Sequence, residues 1–384
     1  MLKEMPVIND NHRRNVSQLD MPPRLLLGPG PSNAHPRVLQ ALSMRQVGHL
    51  DPSFIEVMNE VQELLRYAWQ TDNGFTLPIS GTGSAAMEAS VANLVEPGDV
   101  MLVGVIGYFG ERLVEMARRY GADVRVIEKD WGEAFTRGEL YAALEEHRPQ
   151  ILALVQGETS TGVVQPLDDI GDLCREFDCL LLVDAVTSFA TTPLFIDEWR
   201  IDVAYTCSQK GLSCPPGLGP ITFGPRALEK IDKRKTGVRS WYLDLSLLAK
   251  YWDGTTRSYH HTAPINMNYA VREGLRLVAE EGLEARWARH QANAEFFWQG
   301  LADLGLECHV ADEELRLPAL TTIRVPDGVD AGAVARQLLT EYNIEIAGGF
   351  SKLAGKVWRV GIMGFNSRRE NIILLLDALG RVLR

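Results

Sequence analysis

The sequence predicts an α/β protein: a large domain with a mainly parallel sheet covered by helices on both faces, then a smaller C-terminal α+β domain. Two patterns carry that prediction. Between about residues 75 and 225, short apolar runs alternate with helical stretches. The runs lack polar alternation, which marks strands buried on both faces and joined by helical crossovers. After residue 281 the order changes to a long helix, scattered short strands and two further helices.

Residues 1–22 read as an extended arm, 23–281 as the large domain and 282–384 as the small one. Gly28-Pro29-Gly30-Pro31-Ser32-Asn33 forms a turn that cannot be helical. Residues 53–70 form a helix, with Phe54, Met58, Val61, Leu65 and Ala68 on one face and a Ser53/Glu56 capping box at its start. Strands are expected at 76–79, 100–105, 124–127, 151–155, 180–183, 203–206 and 221–223. A helix from 283 to about 304 then precedes strands at 319–325, 345–347 and 357–362. Helices follow Asp330 and Ser367, the second with a Ser367/Glu370 capping box.

Composition narrows the function. A net charge of −11 argues against nucleic-acid or anionic-membrane partners, so an anionic ligand must be caught by a local site. Five cysteines, odd in number and without a C-x-x-C pair, read as buried thiols in a reducing compartment. The first twenty residues mix charges with no apolar core, and no apolar run is long enough for a bilayer. A cytoplasmic protein is expected.

Four constellations carry chemistry. Ser80-Gly81-Thr82-Gly83-Ser84 lies between a strand and a helix, where free N–H groups and the helix dipole attract an anion. The bland alternative is a tight turn. The same letters read as a dinucleotide fingerprint, but the next strand ends without the acid that would hold a ribose. Asp184 follows a buried strand, as a helix cap or as the holder of a cation. Lys210 follows the strand at 203–206, and a desolvated lysine becomes a nucleophile toward carbonyls. Arg359 sits inside an apolar strand and needs an anion, either an internal carboxylate or a substrate's. Together they suit pyridoxal phosphate and an amino acid. No metal site is expected: His260 and His261 read as structural, pointing to opposite sides, with no third ligand apparent.

From about residue 25 onward the chain resembles the class V aminotransferases of fold-type I, and more narrowly the alanine–glyoxylate and serine–pyruvate aminotransferases. The strings that carry the resemblance are GPGPSN at 28–33, SGTGS at 80–84, GETSTGVVQPL at 157–167 and LLLVDAVTS at 180–188. SQKGL at 208–212, YHHTAP at 259–264 and GKVWRVGIMG at 355–364 complete them. The resemblance implies that Lys210 binds pyridoxal 5'-phosphate covalently and that Asp184 holds its ring nitrogen. It implies a phosphate held by Thr82, Gly83, Ser84 and Gln209, with Phe109 stacked on the ring where relatives often carry tryptophan. Thr159 and Ser84 also depart from the family, where serine and histidine are common. Tyr259 and Thr262 would reach the phosphate of a second subunit, implying a homodimer with active sites at the interface. Arg359, Thr159 and the Gly30 backbone would hold the substrate carboxylate.

The expected reaction moves an amino group from a small amino acid (alanine or serine) to a small 2-oxo acid (glyoxylate or pyruvate) in ping-pong order. Alternatives are a class V lyase or desulfurase, for which Cys308 is the one cysteine in the small C-terminal domain, and a dinucleotide-dependent oxidoreductase.

Overall fold

The alternating apolar runs build one seven-stranded sheet in the computed structural model, which describes residues 9–252 and 257–384. In chain order its strands are β1 (Phe75–Ser80), β2 (Val100–Val105), β3 (Asp123–Glu128) and β4 (Ile151–Val155). They continue with β5 (Leu180–Asp184), β6 (Val203–Tyr205) and β7 (Leu218–Phe223). The spatial order is β1-β7-β6-β5-β4-β2-β3. Only β7 runs against its neighbours. Every other strand therefore ends at the same edge, which carries the chemistry.

Residue parity explains the two covered faces. Leu181 and Val183 pack into one apolar cluster, and Leu180 and Leu182 into the other. Each such fully buried side chain stabilises by roughly 1.5–3 kcal/mol relative to exposure. Asp184 continues the second parity and shares a face with Tyr205.

A smaller antiparallel sheet follows, ordered β8 (Leu320–Arg324), β10 (Val357–Gly361), β9 (Ala347–Gly348). Helices Leu283–Asp303, Ala331–Glu341 and Arg369–Val382 close a third apolar cluster around it. Leu27 belongs to that cluster, and Leu25–Leu26 pairs with Ile344–Glu345. The sequence boundary had grouped these leucines with the larger unit. Of the expected arm, 9–22 is exposed and almost wholly irregular, and 1–8 lies outside the described residues. Among the described residues, no helix is long and apolar enough to cross a membrane.

Both expected capping boxes are replaced. Helix Pro52–Trp69 is capped by Asp51, which accepts from Ser53 N–H at 2.8 Å, with Pro52 in the first turn. Ser367 is diverted, its hydroxyl taken by the Asn293 amide at 3.1 Å, so the last helix begins at Arg369 without a side-chain cap. The single strand expected at 345–347 is two: Ile344–Glu345 pairs with Leu25–Leu26 and Ala347–Gly348 joins β10.

Candidate active site

Asp184 is the last residue of β5, at the edge where open α/β sheets bind ligands, and it is fully buried. Its Oδ1 accepts from Val186 N–H and its Oδ2 from the Tyr205 hydroxyl, each at 2.8 Å. Burial pushes the carboxyl up to about 6 in spite of those donors and of Lys210 nearby. No helix follows for it to cap, because turns occupy the next residues.

Lys210 lies on a turn beyond β6. Thr206 N–H to the Pro220 carbonyl at 2.8 Å and Ser208 N–H to the Leu218 carbonyl at 3.0 Å anchor that turn to β7. The Gly28–Asn33 turn covers it. Ser32 donates its N–H to the Gln209 carbonyl and its hydroxyl to the Lys210 carbonyl, both at 3.0 Å. The Lys210 Nζ donates to the Pro29 carbonyl. Gly30, at φ +118°, must lack a side chain, because a Cβ there would meet Lys210 Cδ at 2.6 Å. Desolvation lowers the amine to about 8, and Arg359 adds to that fall.

Thr82, Gly83 and Ser84 form the start of helix α1 (Gly83–Leu94), whose N-cap Thr82 makes no side-chain cap bond. Its first backbone bond is Ala85 N–H to the Thr82 carbonyl at 2.9 Å, so the preceding N–H groups are available. Thr82 and Ser84 are exposed, and the Arg112 guanidinium reaches Ser84 Oγ at 3.4 Å. Arg112 also lies over the rings of Tyr108 and Phe109, at 5.3 and 4.8 Å from their centroids. An anion placed there meets a helix N-terminus, two hydroxyls and a cation.

Arg359 is buried on β10. It donates to the Gly348 carbonyl at 2.8 Å and the Thr159 carbonyl at 3.4 Å, with its guanidinium 4.0 Å from the Phe350 ring centroid. Among the described residues no carboxylate lies within ion-pair distance of it, so the internal-partner reading is not realised. Burial brings it down to about 10. The Thr159 hydroxyl meets that of Thr187.

Contacts therefore join Gly30 to Lys210, Thr159 to Arg359, and Ser84 through Arg112 to Phe109. Tyr259 and Thr262 are exposed, and their hydroxyls meet each other at 3.5 Å. His260 and His261 face one another, Nδ1 to Nδ1 at 2.8 Å, rather than pointing apart. They sit in a loop, where strand alternation does not apply, and His261 also reaches Ser80 Oγ at 2.7 Å.

Sequence reasoning left out three residues. Tyr205 looked like one more apolar strand position, although an aromatic with a hydroxyl at a strand's carboxyl end was a signal. Arg112 is one of several arginines on a helix surface. Glu158 is completely buried, and desolvation, with Asp184 as a nearby like charge, pushes it up to about 7.

Sheet and site together define an aminotransferase of fold-type I architecture. Residues 26–372 match the family described as Aminotransferase class-V, and the chain belongs to that family. It is 45% identical to the alanine–glyoxylate aminotransferase of Felis catus, over 95% of this chain and 89% of that one. The (S)-ureidoglycine–glyoxylate transaminase of Bacillus subtilis is 41% identical, over 95% and 92%. Among solved structures, the alanine–glyoxylate aminotransferase of Nostoc sp. superposes with a TM-score of 0.97 at 62% identity, covering 99% of this chain and 100% of that one.

The family uses pyridoxal phosphate, and the residues present fit that group. The uncapped α1 start suits its phosphate, the buried Asp184 carboxylate suits a ring cation, and the buried Lys210 amine suits an aldehyde. The Gln209 side-chain oxygen is buried without a hydrogen-bond partner, and only the NH2 end of this amide can donate to a phosphate oxygen. Cys308 is partly buried opposite Ile323 in an isolated bridge, not on a loop of this site.

Proposed function

We propose that the enzyme binds pyridoxal 5'-phosphate and transfers an amino group from alanine or serine to glyoxylate or pyruvate. The observation that carries this reading is a buried arginine with no carboxylate at ion-pair distance among the described residues, set among the charges that act on a buried lysine. A substrate carboxylate completes Arg359, and its geometry favours a planar, two-pronged partner.

The chain's own residues divide the work. Thr82, Gly83, Ser84 and Gln209 hold the phosphate, and Phe109 covers the ring. Asp184 keeps a positive ring nitrogen in place. When bound, the cofactor supplies an aldehyde that takes up the amino group and a ring that draws electrons from the substrate Cα–H bond. With the cofactor bound, Lys210 would be the group that takes the proton from the substrate Cα and gives it back, a task suited to a buried amine brought down to about 8. The buried walls keep water from that proton.

The reading extends to a cytoplasmic homodimer. Tyr259 and Thr262 present their hydroxyls to solvent, where a second subunit could take them up. The similarity to two glyoxylate-using relatives supports glyoxylate as acceptor.

The test is a pair of half-reactions followed by absorbance. Alanine or serine should bleach the cofactor's visible band, and glyoxylate or pyruvate should restore it. A holoprotein whose spectrum neither alanine nor serine alters, while ureidoglycine does, overturns the donor assignment.

A further inference from the structure

Helix α2 (Tyr108–Tyr120) begins at Gly107, which has no side chain to cap it. Its first N–H groups are satisfied from 52 and 49 residues away in sequence. Ser160 Oγ accepts Tyr108 N–H at 2.9 Å, and Glu158 Oε2 accepts Phe109 N–H at 3.1 Å. Glu158 Oε1 in turn accepts the Ser160 N–H at 2.9 Å and the Ser160 hydroxyl at 2.6 Å. The result is a closed circuit: one carboxylate holds a hydroxyl, and the two together hold the first turn of the helix.

Gly107 shows how tight the circuit is. A Cβ there would lie 2.5 Å from both Glu158 Cδ and Ser160 Oγ. A carboxylate at a helix N-terminus also meets the positive end of the dipole. These features explain why a fully buried acid is tolerated without a salt bridge among the described residues.

We infer that Glu158 is a positioning residue: with Ser160 it fixes the backbone of Phe109 and so sets the ring that lies against the cofactor. This rests on the reading above that Phe109 covers the ring. Glu158 acts through Phe109, whose N–H it accepts. A carboxamide at the same place keeps the shape but turns one acceptor into a donor, opposing one of the N–H groups it faces.

The test uses the protein prepared with and without pyridoxal phosphate, as wild type, as Glu158→Ala, Glu158→Gln and Phe109→Ala, and with Phe109→Ala combined with each Glu158 change. Three readouts are taken: the cofactor dissociation constant, the visible circular dichroism of bound cofactor, and amide hydrogen exchange of the 105–113 segment in the apoprotein. Glu158→Ala should weaken cofactor binding about tenfold, reduce the visible dichroism and speed exchange at 105–113. In the Phe109→Ala background the same change should add little, because coupled residues are not additive. Equal losses in both backgrounds overturn the proposal while leaving the Phe109 reading intact. Phe109→Ala with unchanged affinity and dichroism overturns the reading, and the proposal with it. If Glu158→Ala does not fold, Glu158→Gln in both backgrounds decides the matter, with a smaller loss expected and the same two failures.

Discussion

Asp184 and Tyr205 stand directly opposite one another on adjacent parallel strands, with the hydroxyl donating to Oδ2 at 2.8 Å. The tyrosine is fully buried, so its hydroxyl has no water to turn to. The bond favours the ionised carboxylate, the form that would hold a ring cation. Hydrogen bonds to charged groups contribute about 1.5–3 kcal/mol. Tyr205→Phe should therefore weaken cofactor affinity at least roughly tenfold at about 1.4 kcal/mol per decade. Titration of the apoprotein with pyridoxal phosphate reads this directly, and unchanged affinity would show that the hydroxyl does not tune the site.

The lysine predicts a pH dependence of its own. With the amine at about 8, it is protonated and inert at lower pH and neutral above. Capture of a small neutral aldehyde by the apoprotein, trapped with borohydride, should rise about tenfold per pH unit up to that value and then level off. Exposed lysines on the same protein should go on gaining reactivity toward pH ~10.4. Peptide mass spectrometry separates the two populations. A Lys210 profile matching the surface lysines would mean that burial does not depress the amine. Lys210→Ala should abolish turnover in the same preparation.

Much of this was legible in the sequence where the chain has no polar ambiguity. The runs at 100–105 and 151–155 became β2 and β4 with the expected bounds, since six and five apolar or small residues leave no amphipathic choice. β7 was read three residues short because Gly219 and Pro220 argue against a central strand. In the fold Pro220 stands opposite Pro78, and its carbonyl, not a missing N–H, serves Thr206. Asp184, Lys210 and Arg359 stood out as charges in apolar or small-residue text. Glu158 and Ser160 did not, because their partners Phe109 and Tyr108 lie across the fold and local spacing cannot reveal them.

Arg359 gives a test of substrate recognition independent of the cofactor. The guanidinium is held by the Gly348 carbonyl and by the Phe350 ring, leaving donors for a planar anion. Arg359→Lys retains the charge and loses the fork. The KM for both the amino acid and the oxo acid should rise roughly 10- to 100-fold, ~1.4–2.8 kcal/mol, with cofactor affinity unchanged. A simple alkylamine, which lacks the carboxylate, should react equally slowly with both proteins. If KM for the amino acid is unmoved, the carboxylate binds elsewhere.

Asp184→Asn should move stability and activity in opposite directions. The folded carboxyl titrates at about 6, above the ordinary 3.8. A raised carboxyl favours the fold fully below its unfolded value, and that advantage is lost as pH rises through the folded one. Two pH units correspond to ~3 kcal/mol at 1.36 per unit, an upper figure for the charged form's burial. Asparagine never takes on the charge. Its Oδ1 can keep the Val186 N–H, while the Tyr205 hydroxyl turns to accept from the amide. The variant apoprotein should therefore melt higher than wild type at pH 7.5 and nearly with it close to pH 4. With cofactor bound the sign reverses, because the same charge then faces a cation, and turnover should fall by several kcal/mol of transition-state stabilisation. Melting curves of apo- and holoprotein at the two pH values carry the test. A variant that melts lower as apoprotein at neutral pH would mean that the buried charge is already compensated by the protein, and Asp184 would not be holding its energy in reserve for a ligand.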